Sequence, residues 1–229
     1  MNYSKEDYKR DLQDPNAPHV QNREHFKNFY DQLGADDPAQ NVQYPAHRMS
    51  FVNPTQGGLI LELGCHAGYD IVKWLSDDQN ALAVGVDIST PLIEEARRRT
   101  EAAGVADRAM FIESFIEDLP VSDHIVKTHT EPSILPKAFF TDVVLTETLE
   151  HVQDPKAVLE ATRLLMGAGT TLWISVPATR WGNFSHLRGI TAKQLQELLF
   201  DTGFIYEDID WIEQRGGDTY AKITTGTRV

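Results

Sequence analysis

The chain has 229 residues and carries 21 Lys and Arg against 34 Asp and Glu, a net charge of −13. That acidity argues against a broad phosphate-neutralising face, and so against nucleic acid or anionic membrane as a partner. A single cysteine excludes an internal disulfide, and apolar runs such as "TDVVLT" fall far below the roughly 18 residues of a membrane span. No stretch combines a basic start, an apolar region and a small-residue cleavage site, so a cytoplasmic, one-domain protein is expected.

Residues 1–53 are polar and predict two helices, around 4–12 and 19–33, separated and followed by the proline turns "DPNAP" and "DDPAQ". They form an N-terminal helical appendage whose aromatic residues Tyr8, Phe26, Phe29 and Tyr30 either cover an edge of the core or make a lid over a ligand site. "YPAHR", residues 44–48, lies where it could reach the same site.

Residues 54–229 read as the main domain. From Leu59 onward strand-sized runs ("LILEL", "ALAVGVD", "AMFIES", "TDVVLT", "TLWISVP") alternate with amphipathic segments ("YDIVKWLS", "PLIEEARRRTEAAG", "PKAVLEATRLLM", "TAKQLQELLFDTG"). Short buried runs separated by helical patterns predict an α/β doubly wound, mostly parallel sheet covered on both faces. In "PLIEEARRRTEAAG", Ser89 or Thr90 can cap the helix, Pro91 suits its first turn, Glu94 and Glu95 favour its positive end, and Gly104 stops it. The last two strands, near "FIYEDIDWI" and "TYAKITT", are joined by only "EQRGGD". No helical crossover fits there, so they pair antiparallel and the sheet has seven strands with an antiparallel last one.

"LELGCHAGYD", residues 61–70, admits three readings: a glycine turn for a nucleotide, a Cys-His metal pair, or a thiol beside a base. Gly64 and Gly68 follow a strand and let the backbone approach a ligand at its carboxyl end. His66 blocks the approach that a dinucleotide pyrophosphate requires, so the G-x-G-x-x-G pattern is not met and NAD is disfavoured. One Cys and one His cannot complete a metal shell, which leaves a cofactor cradle in which neither side chain does chemistry. Asp87 ends the next strand, 23 residues after Gly64, where a carboxylate can accept bonds from ribose hydroxyls.

These residues resemble the class I S-adenosylmethionine-dependent methyltransferases. "ELGCHAG" matches their E/D-x-G-x-G-x-G motif with His66 in place of the middle glycine, and "VGVDIS", "FIESFIEDLP", "FTDVVLTETLEHVQDP" and "RLLMGAGTTLWISVP" follow in the family's order, over about residues 56–225. The resemblance implies a Rossmann-like sheet with S-adenosyl-L-methionine as cofactor. It places Glu62 near the methionine amino group, Gly64, Cys65 and Gly68 along the methionine and ribose, Asp87 and its neighbour Ile88 at the ribose, Ser114, Phe115 and Ile116 at the adenine, and Thr146 at the end of the fourth strand. Many members have Asp where Phe115 stands; Phe115 cannot accept a bond from the adenine amino group, so Glu117 or a backbone carbonyl must substitute.

In "TETLEHVQDP", Glu147, Glu150 and His151 stand at i, i+3 and i+4, which on a helical turn gives them one face. They suit either a divalent cation such as magnesium, with His186 of "WGNFSHLRGIT" as a further ligand, or a general base oriented by carboxylates. An E-x-x-E-H motif occurs in relatives of the ubiquinone O-methylating enzymes and in small-RNA 2′-O-methyltransferases, where it holds a metal, while "EHV.DP" turns also occur as plain structural elements. The chemistry adds a preference, because a sulfonium methyl is already activated and a hydroxyl acceptor of high pKa needs a base or a metal. The expected activity is therefore methyl transfer to a hydroxyl oxygen of a small molecule, a sugar or a natural-product intermediate. RNA ribose 2′-O-methylation and noncatalytic cofactor binding are the alternatives. Trp181, Arg180 and Arg188 could clamp such an acceptor, and the insertion at 121–137 could serve as a lid or as the contact of a homo-oligomer.

Overall fold

The structure, a computed structural model, describes residues 22–36, 51–119, 121–122, 135–136, 140–180 and 185–226. The main sheet comprises β1 (Leu59–Leu63), β2 (Leu82–Asp87), β3 (Ala109–Glu113), β4 (Asp142–Thr146), β5 (Thr171–Pro177), β6 (Ile209–Arg215) and β7 (Asp218–Thr224). Its spatial order is β3-β2-β1-β4-β5-β7-β6. β3, β2, β1, β4 and β5 are parallel, and β7 runs antiparallel to both β5 and β6. The mostly parallel sheet with an antiparallel last strand is thus present as expected. The hairpin is tighter than the sequence suggests: β6 continues through Arg215, and only Gly216 and Gly217 intervene, both at positive φ, 62° and 93°. Two left-handed residues match the twist of the strands they join.

Five α-helices are described: α1 (Arg23–Asp36), α2 (Tyr69–Asp77), α3 (Thr90–Ala102), α4 (Pro155–Leu165) and α5 (Ala192–Asp201). Alternation along the strands divides the core into two layers. Ile60, Ala83 and Val144 meet Ile71, Trp74 and Leu75 of α2 and Ile93 and Ala96 of α3 on one face. Leu61, Leu63, Val143 and Leu145 meet Val158 and Leu159 of α4 and Leu195 and Leu199 of α5 on the other. Strands buried on both sides explain why β1 and β4 read as nearly continuous apolar runs. No described helix is long and apolar enough to cross a membrane.

Helix starts follow local chemistry at α4 and α5. Asp154 accepts from the amides of Lys156 (2.9 Å) and Ala157 (3.2 Å), and Thr191 with Gln194 makes a capping box. α3 departs from expectation, since neither Ser89 nor Thr90 caps it with its side chain. Instead Asp31 of α1 accepts from the Thr90 amide at 2.9 Å, while the Ser89 hydroxyl donates to the Tyr30 carbonyl at 3.1 Å. Glu95 pairs with Arg98 and Arg99 rather than serving the helix start.

α1 therefore docks on α3, and its Gly34 makes the close approach: a Cβ there would stand 2.6 Å from Ser89 Oγ and 2.9 Å from Leu92 Cγ. The expected helix at 19–33 is seen as Arg23–Asp36, with Asn22 Oδ1 accepting from the His25 amide. Phe26 and Phe29 are buried. The helix expected at 4–12, the "YPAHR" stretch, Trp181 and most of the 121–137 insertion lie outside the described residues; a two-residue pairing of Val121–Ser122 with Leu135–Pro136 is the part described.

Candidate active site

The strand order reverses between β1 and β4, and the loops leaving their carboxyl ends form the crevice where doubly wound sheets bind ligands. The loop after β1 turns through three left-handed residues, Gly64 (φ 82°), His66 (φ 49°) and Gly68 (φ 71°). Gly64 and Cys65 donate their amides to the Val86 carbonyl at 2.8 and 2.9 Å, and Gly68 donates to the Cys65 carbonyl at 2.9 Å. These amides hold the turn rather than face a ligand. A Cβ at Gly64 would collide with the Thr148 side chain, and one at Gly68 would stand 3.0 Å from Ala96 Cβ. Cys65 is buried against the Cβ-less face of Gly85, and burial pushes its thiol well above the usual range. It is a packing residue.

The His66 amide donates to Asp87 Oδ2 and the Ser89 amide to Asp87 Oδ1, both at 2.9 Å. The carboxylate at the tip of β2 is thereby fixed in orientation with lone pairs to spare. Beside it, Glu62 is 4% exposed, with Asp70 at the start of α2 as a neighbouring acid. Burial raises both groups, Asp70 to about 6 and Glu62 well above its ordinary range, with the neighbouring acid adding to the effect on Glu62. Glu62 Oε2 and Asp70 Oδ1 are buried without a hydrogen-bond partner, which suits a ligand that brings cationic donors.

At the end of β3, the Ser114 amide donates to the Asp87 carbonyl at 3.0 Å and the Ser114 hydroxyl to the Phe115 carbonyl at 2.8 Å, while Ile116 is buried. The Arg23 guanidinium of α1 lies 4.0 Å from the Phe115 ring centroid and is paired with Asp118 at 2.5 and 3.0 Å. Glu117 stands 3.7 Å from Arg23, so its charge is drawn toward α1. Ile88 and Thr146 are half-buried along the same edge.

The stretch 147–153 is a series of turns, not a helix; α4 begins only at Pro155. Glu147 is left-handed (φ 49°) and turns away into β5, accepting from the Ser175 hydroxyl at 2.8 Å and donating its amide to the Ser175 carbonyl at 2.9 Å. The Thr148 hydroxyl bonds to the carbonyls of Leu63 and Thr146. The expected shared helical face is therefore absent, and Glu147 does not join the cluster that forms. Glu150, His151 and His186 do, with one ligand atom from each all within 4.8 Å of one another.

Glu150 is fully buried and His186 is 8% exposed. His151 Nδ1 lies 3.0 Å from the Ser185 carbonyl, which can only accept, so the proton belongs on Nδ1 and the Nε2 lone pair is left toward Glu150 Oε1 at 3.7 Å. Burial, then the neighbouring His186, lowers His151 to about 3. It is a neutral imidazole across the physiological range. The Tyr30 ring of α1 meets His151 edge-on at 6.1 Å.

Arg188 holds this turn together instead of clamping a ligand. Its Nη1 donates to the Leu149 and Val152 carbonyls and its Nη2 to the Gln153 carbonyl at 3.0 Å. Tyr30, one of the aromatic residues expected to cover the core or a ligand site, thus reaches the cluster, whereas Ser185 and Asp70 went unnoticed in the sequence: only Asp70, two residues beyond Gly68, carried a local signal.

Residues 39–209 match a family described as "Methyltransferase domain". The chain belongs to that family. A ubiquinone biosynthesis O-methyltransferase of Paracidovorax citrulli is 28% identical over 125 residues, covering 53% of this chain and 44% of that protein. The chain spans about half the length of the curated relatives it matches. Among solved structures, a SAM-dependent methyltransferase from Aquifex aeolicus superposes with a TM-score of 0.60 at 15% identity, covering 86% of this chain and 98% of the other. The [4+2]-cyclase SpnF gives the same TM-score and identity, over 87% of this chain and 81% of its own. The last pair shows that this methyltransferase fold by itself does not dictate a reaction, so the chemistry of the edge residues must carry the functional reading.

Proposed function

We propose that this chain is an S-adenosylmethionine-dependent methyltransferase that acts on a hydroxyl oxygen of a small molecule, with a sugar or natural-product intermediate as the leading acceptor types. The observation that carries the oxygen acceptor is the cluster of buried Glu150, half-buried His151 and buried His186 on the same sheet edge as Asp87 and Glu62. Residues 22–36 act in this reading as a lid, since Arg23, Tyr30 and Asp31 reach the β3 end, His151 and the start of α3.

Bound S-adenosylmethionine supplies an electrophilic methyl group on a sulfonium. Asp87, oriented by two amides, accepts the ribose hydroxyls; Glu62 meets the amino group; Ser114, Phe115 and Ile116 border the adenine, with a backbone carbonyl serving its amino group because Glu117 is drawn to Arg23. Ile88 and Thr146 complete the wall. The family membership, and the likeness in fold to the SAM-dependent methyltransferase from Aquifex aeolicus, support this cofactor.

The acceptor proton requires separate treatment. An imidazole whose conjugate acid ionises near 3 is a poor acceptor of a hydroxyl proton, which weighs against His151 as a free general base. The same neutral imidazole is a good metal ligand because protons do not compete for it. One carboxylate and two imidazoles suit a divalent cation, and the Nδ1 bond to Ser185 aims His151 Nε2 into the cluster. A cation held by Glu150, His151 and His186 would lower the pKa of an acceptor hydroxyl. Glu147 is a positioning residue that ties the ends of β4 and β5.

Calorimetry with S-adenosylhomocysteine tests the cofactor: binding is expected, with strong loss in Asp87→Ala, and folded protein that does not bind would end this reading. Methyl transfer to hydroxyl acceptors is expected to stop on chelation, return with magnesium, and fail in Glu150→Ala. Activity that survives both chelation and Glu150→Ala refutes the cation.

A further inference from the structure

Asp70, beside Glu62 at the same sheet edge, takes no part in the cation cluster. Glu62 in β1 and Asp70 in the first turn of α2 are neighbouring acids, and each has one buried oxygen, Glu62 Oε2 and Asp70 Oδ1, without a hydrogen-bond partner. An acid in the first turn of a helix usually serves the helix dipole from an exposed position. That role explains neither the buried Oδ1 of half-buried Asp70 nor the closeness of a second carboxyl group. Asp87 adds a third acid that acts on Glu62, and the cation acting on Asp70, Lys73, is already paired with Asp77. Three acids thus stand together, and two of their buried oxygens accept no hydrogen bond among the described residues.

We propose that Asp70 joins Glu62 in a two-carboxylate seat for the α-ammonium group of the cofactor, so that Asp70 selects ligands bearing an amino-acid arm over bare nucleosides. An ammonium brings three donors, enough to reach both unpartnered oxygens, and it neutralises the charge that the buried pair develops. Gly68, left-handed immediately before α2, sets Asp70 two residues beyond the turn that borders the ligand. The inference rests on the S-adenosylmethionine reading above.

The test compares two ligands on the whole chain: S-adenosylhomocysteine, and 5′-methylthioadenosine, which shares the nucleoside and sulfur but lacks the amino-acid arm. Asp70→Asn is expected to weaken S-adenosylhomocysteine on the order of tenfold to a hundredfold, the effect of losing a charged hydrogen bond, and to leave methylthioadenosine unchanged. Glu62→Gln should show the same selective loss, and retained methylthioadenosine affinity reports a folded site in each variant. Unchanged S-adenosylhomocysteine affinity in Asp70→Asn, or equal weakening of both ligands, overturns the role of Asp70. Folded wild-type protein that binds neither ligand overturns the cofactor reading itself, and the seat with it.

Discussion

His66 and Glu147 hold left-handed backbone without being glycine, each at a cost of roughly 1 kcal/mol. The sequence shows that the middle glycine of the loop is missing, but not that His66 would keep the glycine conformation and use its amide to fix Asp87. That outcome depends on a carboxylate from the neighbouring strand. Asp70 stores a different strain. Its pKa rises from the usual 3.8 to about 6, chiefly by burial, so between those values the folded protein holds a proton that the unfolded chain releases. Stability is therefore lost as pH rises through this window, at up to about 1.4 kcal/mol per pH unit, and the loss is complete above it. Asp70→Asn removes this pH-dependent cost. Urea unfolding should find the variant more stable than wild type at pH 8, by on the order of 2 kcal/mol, with the advantage gone below about pH 4. A variant no more stable at pH 8 would show that the buried charge is compensated within the free protein.

Elements were legible wherever their determinants are local. The apolar runs placed the strands of the sheet, and Gly104 ends α3 as read, at φ 70°. Elements were misread where a distant group decides. The Glu-x-x-Glu-His stretch has helical spacing, yet Thr148 is tied to Leu63 and Thr146, and Arg188 gathers the carbonyls from 149 to 153, so turns replace the helix. The cap of α3 comes from α1 through Asp31, which the spacing of Ser89 and Thr90 could not reveal. Asp31 also pairs with Lys27 at 2.8 Å. Asp31→Ala should cost about 1 kcal/mol, lowering the melting temperature by about 2–4 °C, whereas Asp31→Asn, which still accepts from the Thr90 amide, should retain most of that. Scanning calorimetry decides it; an alanine variant melting with the wild type would mean that the contact contributes nothing.

At the scale of the whole molecule, the alternating pattern of residues 59–224 suffices for the doubly wound class, and the reversal of strand order then fixes which sheet edge holds the site. The convergence of Glu150 with His186, expected from the place of His186 just after β5, is fixed by a backbone contact that the sequence does not show: the Leu187 amide donates to the Glu150 carbonyl at 2.8 Å. Ligand choice at this scale follows from linkage and charge. A ligand at a hundred times its dissociation constant stabilises the native state by about 2.7 kcal/mol, roughly 5–11 °C for a domain of this size. S-adenosylhomocysteine should produce that shift in a thermal melt, and Asp87→Ala should abolish it. A single-stranded RNA at 50 mM salt should add nothing, since a chain of net charge −13 repels a polyanion unless a local basic surface outweighs its field. A further rise with RNA that fades as salt is added would reverse the choice of acceptor, because only a protein surface that neutralises phosphates responds to salt in that way.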